Sequence, residues 1–387
     1  MSAPSSQLVD EVRLALAEQG AEATPDRVAS ALRGAGRLYG NHTVLALVDA
    51  LRRDTVGAGP LESLLNLPGV TDVLVNGADR VYVDRGCGLE LTEVTFPDDD
   101  AVRRLAQRLA AAGGRRIDDA SPFVDVRLPD GTRFHAVLAP LARPGTVLSL
   151  RVPSRHAFSL NELREAGSLT GPGARVLRDL VRARAAFLVT GGTGSGKTTL
   201  LAALLGVVPS HERLVLVEDA SELRPDHPHV VGLEGRTVNV EGAGGIAMRD
   251  LVREALRMRP DRLIVGEVRG AEVVELLAAL NTGHAGGCGT VHANSAQDLP
   301  ARIEALGVAA GLAREAVHSQ LGAALDVVLH LRRGRDGVRR LAEVATLARD
   351  GSGLVHTRTA MTFDDDGRAE LGEGAEGLDA VLARNEA

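Results

Sequence analysis

The stretch FLVTGGTGSGKTTLLAALLG, residues 187–206, constrains the fold more than any other part of the sequence. It places a glycine-rich loop after an apolar run typical of a buried strand and before an apolar run typical of a helix. The loop matches the pattern G-x-x-x-x-G-K-[ST], and its Lys197 is the only lysine among the 44 Lys and Arg residues of the chain. A strand, such a loop and a helix in this order are typical of a parallel α/β sheet.

Apolar strands and helices alternate in the same way from about residue 173 to residue 348. The runs RLVLVED, RLIVGE, CGTVHA and DVVLHL show no polar alternation, and helical patterns separate them. Parallel strands that are covered on both faces have this composition. The sequence therefore predicts an α/β domain over residues 173–348 with a mostly parallel sheet.

Residues 56–155 have a different pattern. Short β-rich runs such as RVYVD and LELTEVTF are separated by turn sequences, among them Asn76-Gly77. One helical pattern covers Asp99–Ala112. This part of the chain is predicted to be an α+β domain built on an antiparallel sheet.

Three shorter segments complete the predicted organisation. Residues 1–55 carry apolar residues at helical spacing and are predicted to form a small helical segment. Residues 156–172, which are flanked by Pro and Gly, are predicted to form a linker. Residues 349–387 are acidic and glycine-rich beyond Met361, which predicts a mostly mobile extension apart from a short helix at its end.

The loop residues have the chemistry that a polyphosphate requires. Glycines allow successive backbone N–H groups to point at a phosphate, and the amino terminus of the following helix adds a partial positive charge. In this motif Lys197 reaches the phosphates as a compact charge, which the planar fork of an arginine cannot replace, and Thr198 binds Mg²⁺. We predict that a nucleoside triphosphate is bound by Gly191, Gly192, Thr193, Gly194, Ser195, Gly196, Lys197 and Thr198.

Two glutamates follow apolar strand runs, where a parallel sheet gathers its ligands. Glu218 follows the run RLVLV, and Glu267 follows the run RLIVG. Each can bind Mg²⁺ directly or through water, or orient an attacking water, and the alternative for each is an acidic residue of a surface loop. His284 and His292 flank a glycine-rich turn, which favours hydrogen-bonding imidazoles near the phosphate over a zinc site. The alternative for each, which the two residues taken alone favour, is a histidine without a role at the site.

Composition excludes several classes of protein. The net charge of −7 argues against a broad nucleic-acid-binding surface, which is normally basic. Cys87 and Cys288 are too few for a disulfide framework or a four-ligand zinc site. No signal peptide and no run of about 18 apolar residues is visible. We expect a cytoplasmic protein that can dock on the inner face of the cell membrane through a partner.

In this order, the phosphate loop and the stretches VLVEDASEL, LRMRPDRLIVGEVRG and TGHAGGCGTVHANSA resemble the ATPases of type II and type IV secretion systems. This superfamily also drives pilus extension, pilus retraction and conjugal transfer. The stretches GVTDVLVNGADRVYVDRGCGLELT and DGTRFHAVLAPLARPGTVLSLR are similar to its tight-adherence pilus and conjugation-associated branch. The resemblance covers about residues 55–345, and it departs from some type II members in lacking their four-cysteine zinc module.

The resemblance implies the architecture and the ligands. It implies an α/β protein with a RecA-like P-loop domain, preceded by the α+β domain and the helical segment. The implied ligands are ATP and Mg²⁺, held in a homohexameric ring that clamps the nucleotide between its domains. The implied partner is the inner-membrane platform protein of a pilus or secretion machine.

The resemblance also implies roles for individual residues. Glu267 matches the Walker B carboxylate and Glu218 matches the acidic box, and the choice of general base between them stays open. His292 matches the histidine that senses the phosphate site, with His284 beside it. The other implied contacts are Thr199 on the phosphates, Arg133 and Arg151 at the γ-phosphate, and Arg259 along the nucleotide site.

These observations favour an ATP-hydrolysing ring motor for pilus assembly, secretion or conjugal transfer. One alternative is a RecA-like nucleic-acid translocase, which the acidic charge and the aromatic content of 2% disfavour. Another is a nucleotide-dependent regulatory module without turnover, which the presence of both Glu218 and Glu267 disfavours. The direction and the cargo of the motor stay open.

Overall fold

The computed structural model describes residues 12, 25–34, 44, 57–86, 88–153, 157–236, 244–334, 336–364 and 367–385. The predicted helical segment, residues 1–55, lies outside this part of the chain except for Val12, Val44 and helix α1 (Pro25–Gly34). The chain divides into two compact units, residues 1–154 and residues 155–387.

The first unit contains a six-stranded antiparallel sheet with one face covered by a helix. That helix, α3 (Asp99–Ala112), is preceded by Asp98, whose side chain accepts a hydrogen bond from the Ala101 N–H and so caps the helix. Val102 and Leu105 of α3 pack with buried strand residues in one hydrophobic core. The other elements are a short 3₁₀ turn (Gly59–Leu61), α2 (Glu62–Leu65), β1 (Asp72–Asn76), β2 (Val81–Asp84), β3 (Leu89–Leu91), β4 (Phe123–Arg127), β5 (Arg133–Val137) and β6 (Val147–Arg151), in the sheet order β3-β2-β1-β6-β5-β4.

The second unit is built on a nine-stranded sheet in the order β15-β14-β13-β12-β7-β11-β10-β8-β9. Neighbouring strands are parallel in the part of the sheet formed by β12, β7, β11, β10, β8 and β9. Neighbouring strands are antiparallel in the part formed by β12, β13, β14 and β15. These strands are β7 (Phe187–Thr190), β8 (Leu214–Glu218), β9 (Val230–Glu234), β10 (Arg262–Val265), β11 (Cys288–Val291), β12 (Val327–Arg333), β13 (Arg339–Arg349), β14 (Val355–Phe363) and β15 (Ala369–Leu371). The predicted mixed α/β fold with a parallel-rich sheet is confirmed.

Helices cover both faces of this sheet, because its central strands are apolar on both sides. Alternate residues of β7 show the division: Phe187 and Val189 belong to one core, and Leu188 belongs to the other. The first core includes α4 (Leu160–Glu165), α5 (Gly171–Arg182), α6 (Lys197–Leu205) and α11 (Ala375–Leu382), and the second includes α7 (Met248–Leu256), α8 (Glu272–Asn281), α9 (Leu299–Ala309) and α10 (Arg314–Ala324). Within the described ranges, no helix combines the length and the apolar character needed to cross a membrane.

The predicted linker, residues 156–172, is not a linker from Ser159 onward. Ser159 and Glu162 form a reciprocal capping box at the start of α4. Leu160 and Leu163, three positions apart on one helix face, are buried in the first core of the nine-stranded sheet. Gly167 follows the end of α4 and Gly171 begins α5, so these glycines mark helix ends and do not mark a flexible connection.

The prediction of a mostly mobile extension over residues 349–387 is wrong for its described residues. Strand β14 pairs along its length with β13, and β15 pairs with β14. Leu378 and Val381 of α11 are buried in the first core. The described acidic and glycine residues of this segment occupy turns and exposed positions. The average composition of the segment therefore gave no indication of the apolar residues that face the sheet.

We expect Leu378→Ala to lower the free energy of unfolding by about 2–5 kcal/mol, because the truncation leaves a cavity beneath α11. Urea unfolding followed by circular dichroism measures this change. Asp379→Ala on the exposed side of the same helix is the matched control, and we expect a change within about 0.5 kcal/mol. Equal unfolding midpoints for the two variants would show that α11 does not contribute to the core.

Candidate functional site

The glycine-rich loop lies at the carboxyl end of β7, between β11 and β12 in the sheet. The helix α6 begins at Lys197, directly after Gly196, whose φ of +93° is left-handed and favours glycine. Gly191 also has a positive φ, and an added Cβ there would lie 2.5 Å from both the Leu331 carbonyl oxygen and Ser195 Oγ. The loop can therefore form only with glycine at these positions, and it leaves the amino terminus of α6 open to a ligand.

Lys197 is folded into the loop and is 7% exposed. Its Nζ donates to the carbonyl oxygens of Gly191 at 2.9 Å and of Gly192 at 2.8 Å, and it lies 3.4 Å from His292 Nδ1. Burial lowers the pKa of this ammonium, and the charge of Glu267 opposes that shift. The single lysine of the chain is thus held in place by the loop whose ligand it would contact.

A chain of polar contacts leads from Lys197 across the neighbouring strands. His292 Nε2 lies 2.6 Å from Glu267 Oε1, and Glu267 Oε2 lies 2.9 Å from the guanidinium of Arg269. The same guanidinium lies 3.5 Å from Asp219 Oδ2. The sequence motifs directly indicated Glu267 and His292, whereas Arg269 was missed.

The two neighbours of His292, Lys197 and Glu267, determine which nitrogen of the imidazole carries the proton. Burial lowers the pKa of the imidazole, Lys197 lowers it further, and Glu267 opposes both. A neutral ring with its proton on Nε2 donates to Glu267 and accepts from the Lys197 ammonium at Nδ1. This tautomer satisfies both ring nitrogens of His292.

The order of the strands explains why these residues meet. Glu267 comes two residues after β10, and His292 comes directly after β11, which lies between β10 and β7. The carboxyl ends of parallel strands share one edge of a sheet, so both side chains lie at the edge that carries the loop. Glu272 then fixes the turn after β10, because its Oε1 accepts from the N–H groups of Arg269 at 2.6 Å and Gly270 at 2.7 Å.

Glu218, at the end of β8, is buried beside β10 and has different partners. Its Oε1 accepts from the N–H groups of Glu222 at 3.0 Å and Leu223 at 2.9 Å. Burial raises the pKa of this carboxyl to about 7, against the opposing effect of the two N–H donors. A Cβ on Gly266 would lie 2.6 Å from Glu218 Cγ, so the glycine makes room for the side chain. Of the two predicted carboxylates, Glu267 is the one that is linked to the phosphate loop.

Two predicted site residues lie at the opposite edge of the sheet. His284 precedes β11, and its Nδ1 lies 3.3 Å from the Ala279 carbonyl oxygen. Arg259 precedes β10, is exposed and has a left-handed φ of +53°. The amino ends of parallel strands face away from the edge that carries the loop. Within one chain, the expectations that His284 lies beside His292 and that Arg259 lines the nucleotide site are therefore not met.

Arg133 and Arg151 form a cross-strand pair in the sheet of the first unit. They are direct partners on β5 and β6, on the face opposite the buried Phe134 and Leu150. Arg133 Nη2 lies 3.3 Å from Asp125 Oδ2, and Arg151 Nε lies 3.0 Å from Asp72 Oδ1. Their role at a γ-phosphate stays a prediction.

The loop residues fit the triphosphate and the metal ion that the motif implies. The backbone cradle is closed to a side chain at Gly191, and the buried Ser195 Oγ has no hydrogen-bond partner among the described residues. Thr198 and Thr199 are half-buried on the first turn of α6. Within the same residues, no group of three or more His, Cys, Asp or Glu side chains could hold a metal ion by itself. The motif implies that Thr198 and the phosphates of a nucleotide would hold Mg²⁺.

A phosphate loop at the end of a central parallel strand, faced by a carboxylate and a histidine from the next strands, defines a P-loop nucleoside triphosphatase fold of the RecA-like type. The model of the type II/IV secretion system protein family matches residues 54–371, and the chain belongs to this family.

Curated relatives agree with the family. The chain is 56% identical over 333 residues to a putative conjugal transfer protein of Mycobacterium tuberculosis, with 84% of this chain and 94% of the relative covered. It is 34% identical to the type IV secretion system protein PtlH homolog of Bordetella bronchiseptica, with 72% of this chain and 91% of that protein covered. Among solved structures, the pilus retraction motor PilT with bound ADP is similar in fold, with a TM-score of 0.52, 21% identity and 82% of each chain covered.

Proposed function

We propose that this protein is a Mg²⁺-dependent ATPase that works as a homohexameric ring motor of a secretion, pilus or conjugation machine. The observation that carries the proposal is the continuous contact from Lys197 through His292 to Glu267. This chain of contacts connects the cation that would bind phosphate, Lys197, to the carboxylate of Glu267. The geometry of the loop that carries Lys197 suits a polyphosphate. Family membership supports ATPase activity and a role in secretion or conjugation.

The residues divide the reaction between binding and proton transfer. On binding, Lys197 exchanges the carbonyl oxygens of Gly191 and Gly192 for phosphate oxygens, and the N–H groups of the loop hold the phosphates. Glu267 accepts the proton of the attacking water, and Arg269 holds its other oxygen in place. His292 keeps Glu267 aligned with the γ-phosphate end of the site. Bound Mg²⁺ neutralises charge on the phosphates.

The relatives are named for conjugal transfer and type IV secretion, which supports a role in such a machine. We expect the protein to work at the cytoplasmic face of a membrane, with an inner-membrane platform protein as its partner. A nucleic-acid translocase on the same fold is the second candidate, which the net charge of −7 and the absence of tryptophan disfavour. A nucleotide-dependent module without turnover is the third candidate. The position of Glu267, which His292 connects to Lys197, disfavours it.

We expect the purified protein to release phosphate from ATP with Mg²⁺ and to lose this activity with EDTA. Light scattering should show six copies of the 40.5 kDa chain in the presence of a non-hydrolysable ATP analogue. A monomer at tens of micromolar, with and without the analogue, would exclude the ring. Strong stimulation of the ATPase by single-stranded DNA would favour the translocase, and nucleotide binding without turnover would favour the regulatory module.

A further inference from the structure

The hairpin that joins β12 to β13 lies against the phosphate loop, on the side opposite Glu267. Strand β12 pairs with β7 up to the partners His330 and Thr190. The next residue of β12, Leu331, has its carbonyl oxygen within 2.5 Å of the position of a Cβ on Gly191. Residues 332–340 carry five arginines and a single aspartate, so the sequence of this hairpin is strongly basic.

Arg339 is the arginine of this hairpin that lies on the loop itself. Its Cδ is 3.4 Å and its Cβ is 3.7 Å from the position of a Cβ on Gly196, the last loop residue before α6. Arg339 is exposed, and its guanidinium makes no hydrogen bond or ion pair with the residues that the structure describes. By contrast, Arg340 binds Asp336 at 2.5 Å and 2.9 Å, and Arg333 donates to the Gly337 carbonyl oxygen.

An arginine without a partner at the edge of an anion cradle is suited to bind that anion. A guanidinium makes charge-assisted, planar hydrogen bonds to phosphate oxygens. The backbone of a phosphate loop holds the α- and β-phosphates, whereas its lysine reaches the β- and γ-phosphates. Arg339 approaches from the β12 side, and Glu267 and His292 approach from the β11 side, so the two groups lie on opposite sides of the loop.

We infer that Arg339 is a nucleotide-binding residue that contacts the α- and β-phosphates. The inference rests on the proposed nucleotide function of the loop and adds a residue that lies outside the motif. Since ADP and ATP share these phosphates, Arg339 stabilises both complexes equally and leaves the chemical step unchanged. It therefore contributes to affinity and differs in this respect from Glu267.

The test compares Arg339→Ala with wild type, using a fluorescent ADP analogue and displacement by ATP, ADP or inorganic pyrophosphate. We expect all three dissociation constants to rise by the same factor, about tenfold, as for the loss of a charge-assisted hydrogen bond. KM for ATP should rise by a similar factor while kcat stays within about twofold. Arg339→Lys, which keeps the charge but not the fork, should fall between wild type and Arg339→Ala.

Arg358→Ala is the matched control, because Arg358 is also exposed and lies on β14 of the same sheet, away from the loop. We expect it to bind all three ligands as wild type does. Unchanged affinities in Arg339→Ala, together with lost binding in Lys197→Ala, would overturn the role of Arg339 and leave the proposed function intact. Weaker ADP binding with unchanged pyrophosphate binding would overturn the phosphate contact in favour of a contact with the nucleoside. Wild-type protein that binds no nucleotide would overturn both proposals.

Discussion

Glu267→Gln should bind ATP with near wild-type affinity and hydrolyse it about 10²–10⁴ times more slowly. The amide keeps the size of the side chain and can still contact His292 and Arg269, but it cannot accept the proton of water. Lys197 and the backbone of the loop, which are the proposed nucleotide-binding groups, are left in place. The variant should therefore accumulate with ATP bound, and a ring that closes on ATP should persist in it.

Two measurements on each variant separate binding from chemistry: the affinity for a fluorescent ATP analogue and the rate of single-turnover hydrolysis. Glu222→Gln is the control, because Glu222 is an exposed carboxylate in the loop that follows β8. Glu218→Gln should be milder than Glu267→Gln or should raise the Mg²⁺ requirement, since Glu218 is held by backbone N–H groups. If Glu218→Gln is inactive while Glu267→Gln turns over normally, the two roles must be exchanged. Loss of ATP binding in both variants would show that neither carboxylate is the catalytic base.

Lys197→Arg should lose ATP binding as well as turnover, although the positive charge is kept. The Lys197 ammonium fits between two carbonyl oxygens at 2.8 Å and 2.9 Å inside a loop that leaves the residue 7% exposed. A guanidinium is larger and planar, so it cannot occupy this position without displacing the loop. We expect turnover to fall by at least the factor of about 10² that is typical for the loss of one preorganised hydrogen-bond donor in an active site.

Lys197→Arg should lose both ATP binding and turnover, whereas Glu267→Gln should lose turnover and retain ATP binding. Arg358→Lys makes the reverse exchange at an exposed position of the same sheet and should leave the ATPase rate unchanged. Thermal unfolding of Lys197→Arg should stay close to that of wild type, because Lys197 belongs to neither hydrophobic core of the nine-stranded sheet. Retention of a third or more of the wild-type rate would refute the requirement for a compact ammonium as the reason for the single lysine.

The phosphate loop could be predicted from the sequence, whereas the contact between Glu267 and His292 could not. The loop from Gly191 to Thr198 could be predicted because its geometry is local: positive φ angles require glycine, and strand, loop and helix are consecutive. Glu267 and His292 could be predicted as strand-end residues. Their mutual contact could not, because it depends on β11 lying between β10 and β7.

By itself, the sequence determined the parallel α/β core, the antiparallel first unit and the phosphate loop, since each is encoded by the periodicity or spacing of neighbouring residues. Only the tertiary structure decided which distant side chains reach the loop. It placed His284 and Arg259 at the opposite edge of the sheet and Arg339 against Gly196. It also packed the acidic carboxyl-terminal segment against the core. The physical reason is that strand order and the direction of each strand are set by long-range pairing, which no local pattern of residues records.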